Sequence, residues 1–376
     1  MQYTFPEVHL FQVLRRFEHQ HLPLDLFLRH YFQAHKALGS KDRQLIAEAT
    51  YGMTRWSLLL DHVSEGVPSW EKRYTIFRNF QPENYLYVNT IPLHTRISFP
   101  QELFAHLVKQ YGKEKAIHLC QICNTQASLT VRINPAKTTR EALLEEWNEH
   151  PVSPTSHSPF GIQCKKRIPL TSFPTFKEGL FEIQDEASQL VALYVKAQPG
   201  DLVLDYCAGS GGKTLAFAHQ MEGKGQIYLH DVRRGVLDQA KKRLKRAGIQ
   251  NGQVIHDTHP HLATLRRKMD WVLVDAPCTG TGTLRRNPDQ KWKFSNALLN
   301  RLVGEQRLIF EKALSYVKPK GAIVYATCSM LREENEDQLH RFLASYPLKL
   351  EGDPFVSLPS YEGMDGFFAA TLRKVE

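Results

Sequence analysis

The chain has 376 residues, with 48 Lys and Arg against 39 Asp and Glu, a net charge of +9. That length exceeds one ordinary core, so two or three domains are expected, and the basic balance suits a polyanionic partner without naming one. Six cysteines are too few for a disulfide scaffold and fit a reducing cytosol. No apolar run approaches the ~20 residues of a membrane span, and the start MQYTFPEVHLFQ has neither a basic opening nor an apolar core, which argues for a cytoplasmic protein with no membrane contact.

Residues 1–90 read as a separate helical domain. Val13, Leu14 and Phe17, then Leu24, Phe27, Leu28 and Tyr31, recur at helical spacing. Gly39-Ser40 breaks the pattern, with Ser40 as N-cap of a helix whose apolar stripe is Leu45, Ile46, Ala49 and Met53. Residues 91–180 read as a small α+β module. One helix follows Pro100 as far as Tyr111, and a second ends near Asn124. A strand at 128–134 is closed by Pro135, a helix runs from Thr139 through Trp147, and PVSPTSHSP at 151–159 reads as a loop.

From 181 to 376 strands and helices alternate. Asp185 is an N-cap candidate for a helix over 186–196. Then come a strand at 202–204, a helix after Gly212, a strand at 227–229 and a long helix at 235–247. Further strands lie around Val254, at 271–274 and at 322–325. This alternation predicts a doubly wound parallel sheet, whose ligands bind beyond the carboxyl ends of the strands.

Three features fall at those strand ends. The first is the glycine loop, Asp205-Tyr-Cys-Ala-Gly-Ser-Gly-Gly-Lys-Thr214. A phosphate-cradling loop needs a glycine five residues before Gly212, where Cys207 stands, and a dinucleotide fingerprint lacks its last glycine at Thr214. S-adenosylmethionine binding remains, beside an ordinary strand–turn–helix with capping acids. On the first reading Cys207, Ala208, Gly209, Ser210, Gly211, Gly212 and Lys213 meet the cofactor, Asp231 meets its ribose, Asp257 its adenine side, and Asp275 completes the set. The other two features are thiols, Cys278 in DAPCTGTG and Cys328 in ATCS. Either alone reads as a small buried hydrophobe. Together, after apolar runs and beside an acid, they suggest covalent chemistry.

DYCAGSGGKT, DAPCTGTGTLRRNPDQKW and VYATCSMLREENEDQL resemble successive motifs of the RNA cytosine-5 methyltransferase family, of the bacterial 16S rRNA type. NTQASLTVRINPAKTTREALL and GLFEIQDEASQL resemble the segment before that family's sheet, and DGFFAA its closing strand. SKDR through YGMTRW resembles its NusB-like N-terminal domain. The resemblance implies an α/β fold: a Rossmann-like S-adenosylmethionine-dependent methyltransferase sheet, a small α+β module before it, and an all-helical RNA-binding domain at the start. It implies S-adenosylmethionine as cofactor and RNA, ribosomal in the first instance, as substrate. It assigns attack on cytosine C6 to Cys328, proton loss and release to Cys278, the cytosine edge to Asp275, and a place beside base or cofactor to Lys213. A tRNA cytosine-5 methyltransferase, or a non-catalytic RNA-binding or assembly factor on the same fold, are the alternatives. The intact Cys278, Cys328 and Asp275 set speaks against the second. DNA cytosine-5 enzymes attack with the Pro-Cys thiol, and the additional Thr-Cys speaks against them. The chain departs from the family at Gly209-Ser210, where Ala-Pro is usual, and at Val236 and Arg243, where Arg and Asn are frequent.

Weaker signals complete the reading. His118, Cys120 and Cys123 fall short of a four-ligand zinc set, so core thiols and no metal are expected. The run Lys241-Lys-Arg-Leu-Lys-Arg246 reads as a solvated helix face, with phosphate contact to RNA as the alternative. Arg285, Arg286, Lys291 and Lys293, which follow the Cys278 loop, are expected to contact RNA phosphates, with Trp292 stacking on a base or packing. No protein partner is evident.

Overall fold

A computed structural model describes residues 3–20, 22–64 and 66–375. It separates into two compact units, Met1–Gln126 with Thr283–Leu298, and Ala127–Gly282 with Leu299–Glu376. The expected boundaries at 90 and 180 do not coincide with this division. Residues 91–126 pack with the N-terminal helices, and the chain returns to them at Thr283.

The first unit is helical: α1 (Phe5–Phe17), α2 (Leu24–Ala34), α3 (Ser40–Val63), α4 (Trp70–Phe77), α5 (Leu93–Arg96), α6 (Gln101–Tyr111) and α7 (Lys113–Cys123). Leu10, Val13 and Leu14 of α1 meet Leu24, Leu28 and Tyr31 of α2 and Ile46 and Met53 of α3 in one core, the stripe that helical spacing foretold. Two local expectations change. Leu45 is exposed, and Gly39, not Ser40, caps α3, its N–H bonding the Asp42 carboxylate at 3.0 Å.

The second unit holds two sheets. The smaller, in the order β2-β3-β1-β4, is antiparallel throughout: β1 (Leu129–Ile133), β2 (Val152–Pro154), β3 (Gly161–Cys164) and β4 (Phe181–Ile183). Its helices are α8 (Arg140–Glu146) and α9 (Pro174–Lys177). Part of the stretch read as a loop is thus an edge strand, Val152 pairing with Cys164, and its Pro154 is tolerated because an edge leaves one side unpaired.

The larger sheet runs β10-β11-β9-β8-β5-β6-β7. Its strands are β5 (Leu202–Asp205), β6 (Gln226–His230), β7 (Gly252–Ile255), β8 (Met269–Asp275), β9 (Val317–Thr327), β10 (Leu348–Ser357) and β11 (Phe367–Lys374). Strands β5 to β9 are mutually parallel, while β10 and β11 add an antiparallel edge, so the sheet is mixed rather than purely parallel. Helices α10 (Glu186–Ala192), α11 (Gly212–Phe217), α12 (Arg234–Ala247), α13 (Pro260–Thr264), α14 (Asn296–Leu314) and α15 (Glu336–Ser345) complete the α/β pattern. Alternate residues feed two cores. Leu204, Val272, Val274, Ile323 and Tyr325 enter one, and Val203, Trp271, Leu273 and Val324 the other. From β5 the chain builds β6 and β7 on one side, then β8 and β9 on the other. That reversal is where an open α/β sheet presents a ligand crevice. Among the described residues no helix is long and apolar enough to cross a membrane.

Candidate active site

Register aligns the strand ends. Asp205 pairs with Leu229 and Leu273, and Asp275 pairs with Ala326. The loops leaving β5, β8 and β9 therefore emerge together at one end of the sheet.

The loop after β5 is shaped by two glycines with positive φ, Gly209 at 52° and Gly211 at 79°. A Cβ on Gly211 would lie 3.2 Å from Leu229 Cδ2 and 3.4 Å from the Ala240 Cβ, so this glycine admits α12 against the turn. The loop lines a cavity of about 780 Å³, within the size range of small-molecule sites. Of the residues expected to bind cofactor, Cys207, Ala208, Gly209, Ser210, Gly212, Lys213, Asp231, Asp257 and Asp275 line it. Gly211 does not, because it faces the protein. Pro277, Val232, Leu308 and Ile309 give the cavity apolar surface.

The acids around it are held differently. Asp231 accepts from Gly209 N at 2.9 Å and from the Arg233 backbone and guanidinium at 2.9–3.0 Å. Burial pushes its carboxyl up, but the Arg233 and Gly209 hydrogen bonds outweigh that and hold it below the usual range. The Arg233 side chain is itself largely exposed. Asp257 Oδ1 meets His230 Nε2 at 2.7 Å, and His230 Nδ1 meets the Tyr206 carbonyl at 2.7 Å. Asp205 also lines the cavity, and the sequence reading passed over it although it opens the DYCAGSGGKT motif. Burial pushes its carboxyl up to about 7 against the Thr214 hydroxyl that donates to it at 2.7 Å, and its Oδ1 is buried without a hydrogen-bond partner.

This donor set fits S-adenosylmethionine. Carboxylates suit its positive charges and hydroxyls, backbone N–H groups at a helix start suit its carboxylate, and the apolar wall suits a base. Asp231, Asp257 and the glycine loop would hold it.

The thiols occupy the neighbouring loops. Cys278 and Cys328 are both part-exposed, with sulfurs 3.4 Å apart. Three backbones cross beside them: Gly282 N donates to Cys328 O, and Gly366 N to Gly282 O, both at 2.9 Å. A Cβ on Gly282 would fall 2.0 Å from Gly366 O, so only glycine fits there. The Lys213 ammonium pairs with the Asp275 carboxylate. Burial pulls the Lys213 ammonium down, but Asp275 more than offsets it and leaves the group above its ordinary value, with Cys328 adding to the upward push.

Arg243, one of the departures from the family pattern, braces another. Its guanidinium donates to Ser210 O at 2.9 Å and to Ser210 Oγ at 2.7 Å, and pairs with buried Glu182. Lys241, Lys242 and Lys245 on the same helix face solvent.

The expected phosphate contacts divide. Lys291 is buried in the helical unit, where its ammonium donates to Arg55 O, Ser98 O and Asn124 Oδ1, each at 2.7 Å. Burial pulls this ammonium well down, and all three donors are used, so it cannot reach RNA. Arg285 is likewise buried. Trp292 is anchored through Nε1 to Thr54 O at 2.7 Å, which favours packing. Arg286 is part-exposed, and Lys293 is exposed while paired with Asp289. Cys120 and Cys123 are buried in the helical unit.

Comparison with known proteins agrees with this architecture. Residues 192–373 match the family model described as 16S rRNA methyltransferase RsmB/F, and residues 99–171 match the ferredoxin-like domain of RsmF/B-like methyltransferases. The chain is 32% identical over 316 residues to the probable ribosomal RNA small subunit methyltransferase B of Synechocystis sp., covering 78% of this chain and 71% of that protein. It is 32% identical over 306 residues to the probable methyltransferase of the same name from Bacillus subtilis, covering 75% and 68%. Among solved structures, a methyltransferase homolog protein from Pyrococcus horikoshii has a TM-score of 0.64 and 27% identity, covering 75% of this chain and 97% of that one. NSun6 from the same organism, solved with SFG, shares the fold with a TM-score of 0.66 at 21% identity, covering 74% and 99%. S-adenosylmethionine is the cofactor. On sequence, fold and site together, the chain belongs to the RsmB/F family of 16S rRNA methyltransferases.

Proposed function

We propose that the protein methylates C5 of cytosine in RNA, with small-subunit ribosomal RNA as substrate in the cytoplasm. One observation carries the chemistry: two thiols 3.4 Å apart, at the ends of adjacent strands, beside a Lys213–Asp275 pair. The names of the curated relatives, ribosomal RNA small subunit methyltransferase B, support the substrate class.

Cytosine C5 is a weak carbon nucleophile. Addition of the Cys328 thiolate to C6 forms a sulfur–carbon bond and makes C5 electron-rich. A positive charge beside a thiol favours the thiolate, and Lys213 is the group so placed. Asp275 can accept from the cytosine N3–H and amino group, which favours the protonated ring and drains charge from it during addition. Bound S-adenosylmethionine supplies an electrophilic methyl group. The C5 proton then passes to solvent with Cys278 assisting, its bonding electrons re-form the C5–C6 double bond, and the C6–sulfur bond breaks with its electron pair returning to the Cys328 sulfur. The target base must be unpaired or flipped for C5 and C6 to reach both partners.

The test is a pair of variants assayed on ribosomal and transfer RNA fractions. Cys328→Ala abolishes methyl transfer while cofactor binding persists; normal turnover refutes the assignment. Cys278→Ala accumulates a denaturation-resistant RNA–protein adduct, and no adduct on a verified substrate overturns the division of roles. Mapping the labelled nucleotide tests the base and atom.

A further inference from the structure

The two thiols are chemically identical, so something must decide which one attacks. Glu334 and Asn335 lie side by side in the turn before α15, and both are buried. Each holds the residues flanking one thiol. Asn335 Nδ2 donates to Ser329 O at 2.9 Å, and its Oδ1 accepts from the Thr327 hydroxyl, so it brackets Cys328. Glu334 Oε1 accepts from Thr279 N at 2.9 Å, and its Oε2 accepts from the Thr279 hydroxyl, directly after Cys278. Gln306, also buried, donates to Glu334 Oε1 and to Pro277 O, both at 3.0 Å, and so closes the bracket on the other side of Cys278. Burial pushes the Glu334 carboxyl up, while hydrogen bonds from Ser329, Thr279 and Gln306 pull it back, a set of donors such as a carboxylate needs.

The bracket is asymmetric in charge. The Glu334 charge acts on Cys278, while Cys328 interacts with the Lys213 ammonium, which is itself paired with Asp275. We propose that Glu334 is the positioning residue that holds Cys278 as a thiol in the resting enzyme, so that Cys278 donates the hydrogen in the sulfur–sulfur contact and Cys328 carries the charge. The S–H of Cys278 then steadies the Cys328 thiolate before attack and again as the C6–sulfur bond breaks. The inference rests on the two-thiol reading above and adds to it the group that tells the sulfurs apart. The hydrogen bond with Cys328, burial, the Cys328 charge and then the Glu334 charge push the Cys278 thiol up, while the Gly280 backbone N–H pulls it down. The groups facing this corner are Cys328 and Tyr325 of β9 and its loop, Glu334, Lys213 of α11, Asp275 of β8 and Arg307 of α14. Tyr325 donates to the Glu334 carbonyl at 2.7 Å, and Arg307 acts on Tyr325 through its charge.

The test uses the full chain without RNA or cofactor. Iodoacetamide labelling is followed against pH, with the modified cysteine identified by peptide mass. In the parent, Cys328 labels at lower pH than Cys278, and the reverse order overturns the proposal without any variant. Glu334→Gln keeps the shape and the hydrogen-bonding atoms but removes the charge. It should lower the pH at which Cys278 labels by about one to three units, whereas Glu334→Asp, which keeps the charge, should leave that pH near the parent value. An unchanged Cys278 profile in Glu334→Gln, or an equal shift in both variants, refutes the charge-setting role. Labelling needs no turnover, so its outcome is separate from the adduct assay. A missing adduct with the expected labelling order sinks the covalent mechanism alone.

Discussion

The loop ending at Gly282 and the segment starting at Thr283 are consecutive in sequence, yet they put polar side chains to opposite uses. In the first, Cys278 is bracketed through its neighbours, so its flanking backbone is satisfied while the sulfur meets the Cys328 sulfur and the Gly280 backbone N–H. In the second, the Lys291 ammonium itself is the group satisfied, with three acceptors around it and none of its donors to spare. A functional group is available for chemistry or binding when the structure fixes what surrounds it, and is spent when the structure fixes the group itself. The same charge that reads as an RNA contact in sequence is here an internal strut.

The sharpest way to break this contrast is at the thiols. Cys328→Ala should lower methyl transfer by about 10⁴-fold or more with little change in unfolding midpoint, since it gives up a weak contact with the Cys278 sulfur and the packing of one small side chain. Lys291→Met should do the opposite. It leaves three acceptors unpaired and should cost about 2–4 kcal/mol in chemical denaturation, while the salt dependence of RNA binding stays as in the parent. A lower salt slope would restore Lys291 as a phosphate contact.

A third prediction concerns pH. The folded Asp205 carboxyl sits at about 7, above its unfolded value near 4. The folded state therefore binds more protons between those limits. The stability this contributes is full below about pH 4 and is lost as pH rises through 7, at up to about 1.4 kcal/mol per pH unit. Asp205→Asn should flatten that slope in denaturation curves measured from pH 5 to 8; an unchanged slope assigns it elsewhere. The smallest effect belongs to Lys241→Ala and Lys245→Ala. On a solvated face each should alter stability by no more than about 0.5 kcal/mol, and a larger loss would mean that α12 uses them as the helical unit uses Lys291.

Much of this was open to sequence reasoning, for reasons that particular residues make plain. Strands β5, β6, β8 and β9 are apolar runs buried on both faces, and each ends in or just before an acid or a thiol that has nowhere to go but the strand end. Strand β10 escaped notice because LKLEGDPFVS is a half-exposed edge interrupted by an irregularity between Glu351 and Phe355. β2 escaped because proline reads as a break. Within the site, the residues on short motifs were legible, and those defined by long-range pairing were not. Thr279 and Glu334 are 55 positions apart, and nothing local in either says that they bond. The fate of Lys291 was equally hidden, because its acceptors come from three separate stretches of the helical unit, at Arg55, Ser98 and Asn124.

The return of Thr283–Leu298 to the first unit also sets an order of events during synthesis. The opening helices leave the ribosome early, but the lysine that ties Arg55, Ser98 and Asn124 together is made 167 residues after Asn124, a wait on the order of ten to thirty seconds at ordinary translation speeds. Until then the nascent N-terminal bundle lacks its keystone, and the catalytic sheet, whose β9 and β11 lie further downstream still, closes only after that keystone exists.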